Sequence, residues 1–171
     1  MSAKFILKQP MTSAYCLACK GCCRFQEANS PWRPKVYLNE DEIFGTQVLD
    51  DEILDEKRCI PTKFADGQNF CKLLDVEINK CTVYLIRPLE CRLYPFLFVK
   101  KQGTVFLAVH LACPFVQEEK DTEEFEGHCQ SLKIFFAQDQ IKEFLKKNTE
   151  HIFSGHVLKD ETEIIFPICS S

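Results

Sequence analysis

The chain has 171 residues, 46% of them hydrophobic and 27% charged, with a formal net charge of −4. That length suits one ordinary domain whose core folds without cross-links, so the 11 cysteines are not needed as staples, and they are too sparse for a small disulfide scaffold. With 21 basic against 25 acidic residues there is no cationic excess to neutralise phosphates, which disfavours nucleic acid as a partner.

In chain order, residues 1 to 15 read as a short strand or extended lead-in. The apolar run Phe5-Ile6-Leu7, flanked by Lys4 and Lys8, is too short for a signal-peptide core. A cysteine loop follows over 16–23, with Gly21 permitting a tight turn. Ser30 to Pro34 breaks regular structure, and Val36-Tyr37-Leu38 is strand-like. Asn39 with Glu42 three residues on predicts a capping box and an acidic helix through Phe44. Asp50 to Lys57 predicts a second helix beyond a break near Gly45, and the acidic run between Glu40 and Glu56 reads as solvated helix face. Asp66-Gly67 marks a turn, and Tyr94 to Lys101 with Thr104 to Leu111 reads as a hairpin turned at Gln102-Gly103. Gln117 to Glu126 is a predicted helix, residues 131 to 137 are ambiguous, and Asp139 caps a helix carrying Ile141, Phe144 and Leu145 up to Lys147. A closing hairpin pairs His156-Val157-Leu158 with Glu163 to Ile168. The longest apolar stretch, Val105 to Val116, is broken by His110 and Pro114 and falls far short of the ~20 residues of a membrane helix. Cys169 does not fit a prenylation signal. The expectation is a single α+β domain over 1–171, cytoplasmic, with reduced thiols and no membrane segment.

Four cysteines lie in the run Cys16-Leu17-Ala18-Cys19-Lys20-Gly21-Cys22-Cys23. Thiolates repel one another and lose solvation when buried, so gathering them is favourable when a cation or cationic cluster core offsets their charge. Disulfides are the alternative, but adjacent Cys22 and Cys23 pair only by straining the peptide between them. Cys71, Cys81 and Cys91 recur at ten-residue intervals and Cys113-Pro114 follows, which completes a set of eight.

Here the chain resembles a known family, the CxxCxxCC cysteine-cluster proteins, also called YkgJ-family zinc- or iron-chelating domain proteins. The residues that carry the resemblance are Cys16-x2-Cys19-x2-Cys22-Cys23, Cys71, Cys81-Thr82-Val83-Tyr84, Arg87-Pro88-x2-Cys91-Arg92-x-Tyr94-Pro95-Phe96 and Cys113-Pro114. They span residues 16 to 114, and 115–171 reads as a helical and hairpin extension. The resemblance implies a metal-chelating domain. A bacterial relative in cysteine pattern is flagellin lysine N-methylase, which suggests modification of a protein side chain as one activity and a protein as substrate or partner. The chain itself has no glycine-rich loop of the common methyltransferase kind, no C-x3-C-x2-C of radical enzymes and no recognisable hydrolase nucleophile.

Eight cysteines could fill two tetrahedral zinc sites. The spacing of Cys16, Cys19 and Cys22, with a remote Cys-Pro at Cys113, also matches the ferredoxin pattern. The favoured assignment is a [4Fe–4S] cluster on those four, leaving Cys23, Cys71, Cys81 and Cys91 for a second site, with one or two zinc ions as the alternative. A centre bound by four thiolates is anionic, so Arg87 and Arg92, with Lys20 and Arg24, are candidate hydrogen-bond donors to sulfur, against a reading as surface charges. Tyr84 and Tyr94 are either such donors or aromatic core. His110 reads as a core or edge histidine, His128, His151 and His156 lack ligand spacing, and Cys59, Cys129 and Cys169 read as small buried hydrophobes. The functions compatible with this chemistry are redox or side-chain-modifying metal chemistry, a metal-stabilised binding module, and metal storage or delivery.

Overall fold

The computed structural model describes residues 5–19, 21–46, 53–155 and 159–170. The chain folds as two compact units, Met1–Arg92 and Leu93–Ser171, and mixes short helices with small, mainly antiparallel sheets in an α+β fold.

The first unit is poor in regular structure. Residues 5 to 11 form no strand. The Thr12 hydroxyl accepts the Tyr15 N–H at 3.2 Å and starts α1 (Ser13–Ala18), so the cysteine motif begins on a helix and not on a loop. β1 (Arg24–Phe25), β2 (Thr62–Ala65) and β3 (Gln68–Cys71) make an antiparallel sheet in the order β1-β3-β2. Asp66 and Gly67, at φ 49° and 77°, form the expected turn between β2 and β3. β4 (Leu74–Asp75) and β5 (Lys80–Cys81) form a separate two-stranded ribbon. Phe25, Val36, Ile60, Phe70, Cys71 and Leu74 are the core, with Cys23 and Trp32 packed against it.

Several local expectations fail in this unit. α2 (Glu40–Phe44) ends at Gly45 as expected, but its cap Asn39 has left-handed φ of 60° and no side-chain cap bond, so the capping box does not form. Residues 50–52 lie outside the described residues, and 53–57 are not α-helical. Asp55 Oδ1 instead accepts the N–H groups of Lys57 at 2.9 Å and Cys59 at 2.8 Å, an Asx turn that competes with helix. The segment at Val36 contributes only an isolated bridge, Lys35↔Cys59. The unit ends in α3 (Leu89–Leu93).

The second unit is built on β6 (Phe96–Lys101) and β7 (Thr104–His110), the predicted hairpin, whose two-residue turn has Gln102 at φ 50° and Gly103 at φ 73°. These are the positive φ values that match the turn to strand twist. The predicted helix over 117–126 is broken: α4 (Pro114–Glu119) stops, and Thr122 caps α5 (Glu123–Phe136), accepting the Phe125 N–H at 3.2 Å. α5 runs through most of the ambiguous segment because Phe125, Cys129, Leu132 and Phe136 form one buried stripe. α6 (Asp139–Lys147) starts one residue earlier than read, with Gln138 at the cap. β8 (Phe153–Ser154) pairs parallel with β6, and β9 (Thr162–Ser170) pairs antiparallel with β7. The expected partner at 156–158 lies outside the described residues. Phe98 on β6 meets Phe136 edge-on, ring centroids 5.3 Å apart. Among the described residues no helix is long and apolar enough to cross a membrane.

Candidate metal centre

Strand pairing in the first unit converges its cysteines. The N–H of Cys71, at the end of β3, donates to the Cys23 carbonyl at 2.9 Å, just beyond the Arg24↔Phe70 pair of β1 and β3. Cys81 closes β5 opposite Leu74, and the Thr82 N–H donates to the Leu73 carbonyl at 2.8 Å, which ties that end of the ribbon close to Cys71. Cys91 projects from α3. Its sulfur is within electrostatic reach of Cys23, Cys71 and Cys81, and those three are within reach of one another. Cys22 hydrogen-bonds Cys23 and reaches Cys91 and Cys16, while Cys16 also reaches Cys19 and Cys23. Seven of the eight expected ligands therefore share one neighbourhood. Cys113 belongs to the second unit, where it is the buried cap residue of α4. None of the 11 cysteines is in a disulfide. Among the described residues no three cysteine, histidine or carboxylate side chains are closed tightly enough to hold a single metal ion, so the thiols are gathered but not drawn onto one point.

Burial sets the electrostatics. It pushes the Cys71 thiol up to about 12 and Cys91 well above its usual range, with neighbouring sulfurs adding to both. Cys16 and Cys81 are raised by burial, against Arg87. Cys23 is the exception. The hydrogen bond from Cys22 favours its thiolate and outweighs the opposing burial, with Arg24 and Arg87 adding to it, and Cys22 is raised correspondingly.

Arg87 is 8% exposed and stands beside Cys16, Cys23 and Cys81. Its Nη2 donates to Gln9 Oε1 and its guanidinium lies 3.9 Å over the Tyr84 ring, but its buried Nε–H has no hydrogen-bond partner. The buried Tyr84 hydroxyl meets no full hydrogen-bond geometry, yet it lies near enough to Cys16 to favour its thiolate. A buried N–H without a hydrogen-bond partner and a hydroxyl at Cys16, both among soft sulfur donors, fit an anionic thiolate centre, which would accept from both. Arg92 shares these features: its Nη2 donates to the Phe44 carbonyl at 2.7 Å, its buried Nε–H also has no hydrogen-bond partner, and it lies within electrostatic reach of Glu40, Arg87 and Cys91. Arg24 Nη2 donates to Asn79 Oδ1 at 2.8 Å, and Lys20 lies outside the described residues. Tyr94 hydrogen-bonds His110 Nδ1 at 2.9 Å. Cys59 and Cys129 are buried as expected, whereas Cys169 is only half-buried.

Two structural carboxylates, the buried Glu40 and the half-buried Glu90, escaped the sequence reading. Glu90 accepts the Lys35 N–H at 2.7 Å and the Tyr37 hydroxyl at 2.6 Å, and Glu40 accepts the N–H groups of Tyr37 at 2.9 Å and Leu89 at 3.2 Å. Together they clamp the segment after Pro34 to the helix that carries Cys91. A charged residue beside Cys91 gave no signal of this role, because glutamate is mostly a surface residue unless paired.

The profile of a family described as "CxxCxxCC: Putative zinc- or iron-chelating domain" matches residues 15–130. The chain belongs to the CxxCxxCC family. The match contains all eight motif cysteines, and the family's description makes this a metal-binding domain of the zinc- or iron-chelating kind. No curated protein and no solved structure matches the chain.

Proposed function

We propose that the first unit is a thiolate metal domain in which Cys23, Cys71, Cys81 and Cys91 hold an iron–sulfur cluster, with zinc as the competing occupant of the same tetrad. The observation that carries it is the mutual proximity of these four sulfurs, each within electrostatic reach of the other three, with Arg87 and its unpartnered buried Nε–H within reach of Cys23 and Cys81. The cysteine-bearing segments 1–39 and 57–92 carry 13 basic and 5 acidic residues, which supports an anionic centre among them. Bound there, a cluster supplies electron transfer or supports modification of a protein side chain. A zinc ion in its place would make the unit a binding module or a metal-delivery protein. A reducing, cytoplasmic setting keeps the thiols available in either case.

Anaerobic isolation with iron, zinc and sulfide analysis tests this. The expected protein is brown, with iron and acid-labile sulfide in near-equal amounts, and serine at Cys71 or Cys91 removes both. Colourless protein with stoichiometric zinc and no sulfide, even after co-expression with cluster-assembly machinery, leaves the zinc reading standing.

A further inference from the structure

Exposed aliphatic side chains collect around the thiols of the first unit. α1 buries none of its six residues, and Ala14, Leu17 and Ala18, three and four positions apart on one face, are all exposed. The Leu17 carbonyl accepts from Asn79 Nδ2 at 2.5 Å. That bond brings the turn between β4 and β5 against α1, and Ile78 in the turn is 65% exposed. Tyr84, whose hydroxyl lies at Cys16, is followed by Leu85 and Ile86, 88% and 44% exposed. A lone exposed leucine is ordinary, but these four side chains stand on three segments that meet beside Cys16, and clustered apolar exposure marks an interaction surface. Charge is segregated in the same unit. Arg24, bonded to Asn79 Oδ1 at 2.8 Å, and the exposed Lys72 and Lys80 are set against Asp75 and Glu77. Segments 1–39 and 57–92 hold 13 basic and 5 acidic residues, whereas the eight acidic and no basic residues of 40–56 lie on the segment without cysteine.

We propose that Leu17, Ile78, Leu85 and Ile86 form the docking surface for an acidic one-electron carrier protein that approaches the metal centre from the side of α1. The inference rests on the reading of that centre as an iron–sulfur cluster. The aliphatic side chains supply contact that sheds water, and the arginine and lysines around them steer a partner whose own contact is rimmed by carboxylates. Four aliphatic side chains make a small interface, of the size below about 1,200 Å² that weak electron-transfer encounters use, and a carrier must leave after each transfer. In that transfer the reduced carrier loses one electron and the cluster gains it, with no bond made or broken.

The test uses the full chain with its metal in place and an acidic flavodoxin as the probe carrier, without oxygen. Calorimetric titration with oxidised flavodoxin is expected to show weak one-to-one binding that fades as salt screens it, and flavodoxin hydroquinone is expected to reduce the centre in stopped flow. Leu85→Ser is expected to lower both affinity and second-order rate about tenfold, and Lys80→Glu to lower both and flatten their salt dependence. Metal content, thermal stability and the rate with dithionite, a small reductant that needs no docking, stay as in the parent. Affinity and rate unchanged in Leu85→Ser overturn the proposal, as does failure of flavodoxin to bind. Sedimentation with anionic phospholipid vesicles that Leu85→Ser abolishes also overturns it, and makes the patch a membrane contact. Zinc-filled protein that dithionite does not reduce overturns the cluster reading and this inference together, whereas failure of the docking alone leaves dithionite reduction intact.

Discussion

Burial keeps protons on Cys71 and Cys91, whose folded thiols titrate at about 12 and well above the usual range, yet a metal needs thiolates. Metal uptake by the folded protein therefore releases protons, and apparent affinity falls as pH falls. Proton release in a weakly buffered titration, with chelator competition at several pH values, should show that sign; affinity independent of pH would remove these thiols from the ligand set. Arg87 lies within electrostatic reach of Cys16, Cys23 and Cys81, so Arg87→Leu is expected to keep the metal count while shifting the reduction potential of a cluster or the exchange rate of zinc. Arg92 donates to the Phe44 carbonyl, so Arg92→Leu is expected to cost about 2 kcal/mol of stability through a lost charge-assisted bond, measured by chemical denaturation.

Single elements carry their own tests. α5 depends on the Thr122 hydroxyl at its first turn, and Thr122→Ala is expected to cost about 1 kcal/mol with metal content unchanged. The clamp between Glu40 and the start of α3 brings a pH dependence of stability, as distinct from metal affinity. Burial raises the Glu40 carboxyl from 4.5 to about 7, so the folded state holds a proton that the unfolded chain releases. Its contribution is fully present below pH 4.5 and is lost as pH rises toward 7, a change of about 3 kcal/mol at most. Glu40→Gln should flatten that part of the stability profile relative to the parent, and an identical profile in both proteins would show that Glu40 does not titrate on unfolding.

At the scale of the whole molecule the two units differ in what holds them. The first is built from strands of two to four residues, too short to be stable alone, whereas the second has a four-stranded sheet with α5 and α6 packed on β9. Metal removal from the full chain is therefore expected to open the first unit to protease and leave 93–171 protected, read by mass spectrometry of the fragments; equal digestion of both would show that metal does not hold the first unit. The sequence by itself determined the ligand chemistry and the tightest turns. Soft thiols at fixed spacing need no tertiary structure to be recognised, and Asp66-Gly67 and Gln102-Gly103 adopt positive φ from local sterics alone. Helix limits were legible only in part. Asn39 favoured a left-handed conformation over capping, and the buried stripe of α5 carried the helix through a segment of weak local signal. Only the tertiary structure decided which cysteines stand together. Pairing of β1 with β3 sets Cys23 against Cys71, β4 with β5 places Cys81, and the Glu40 and Glu90 clamp places Cys91. Grouping of this kind depends on contacts distant in sequence, and a ligand's spacing along the chain does not encode them.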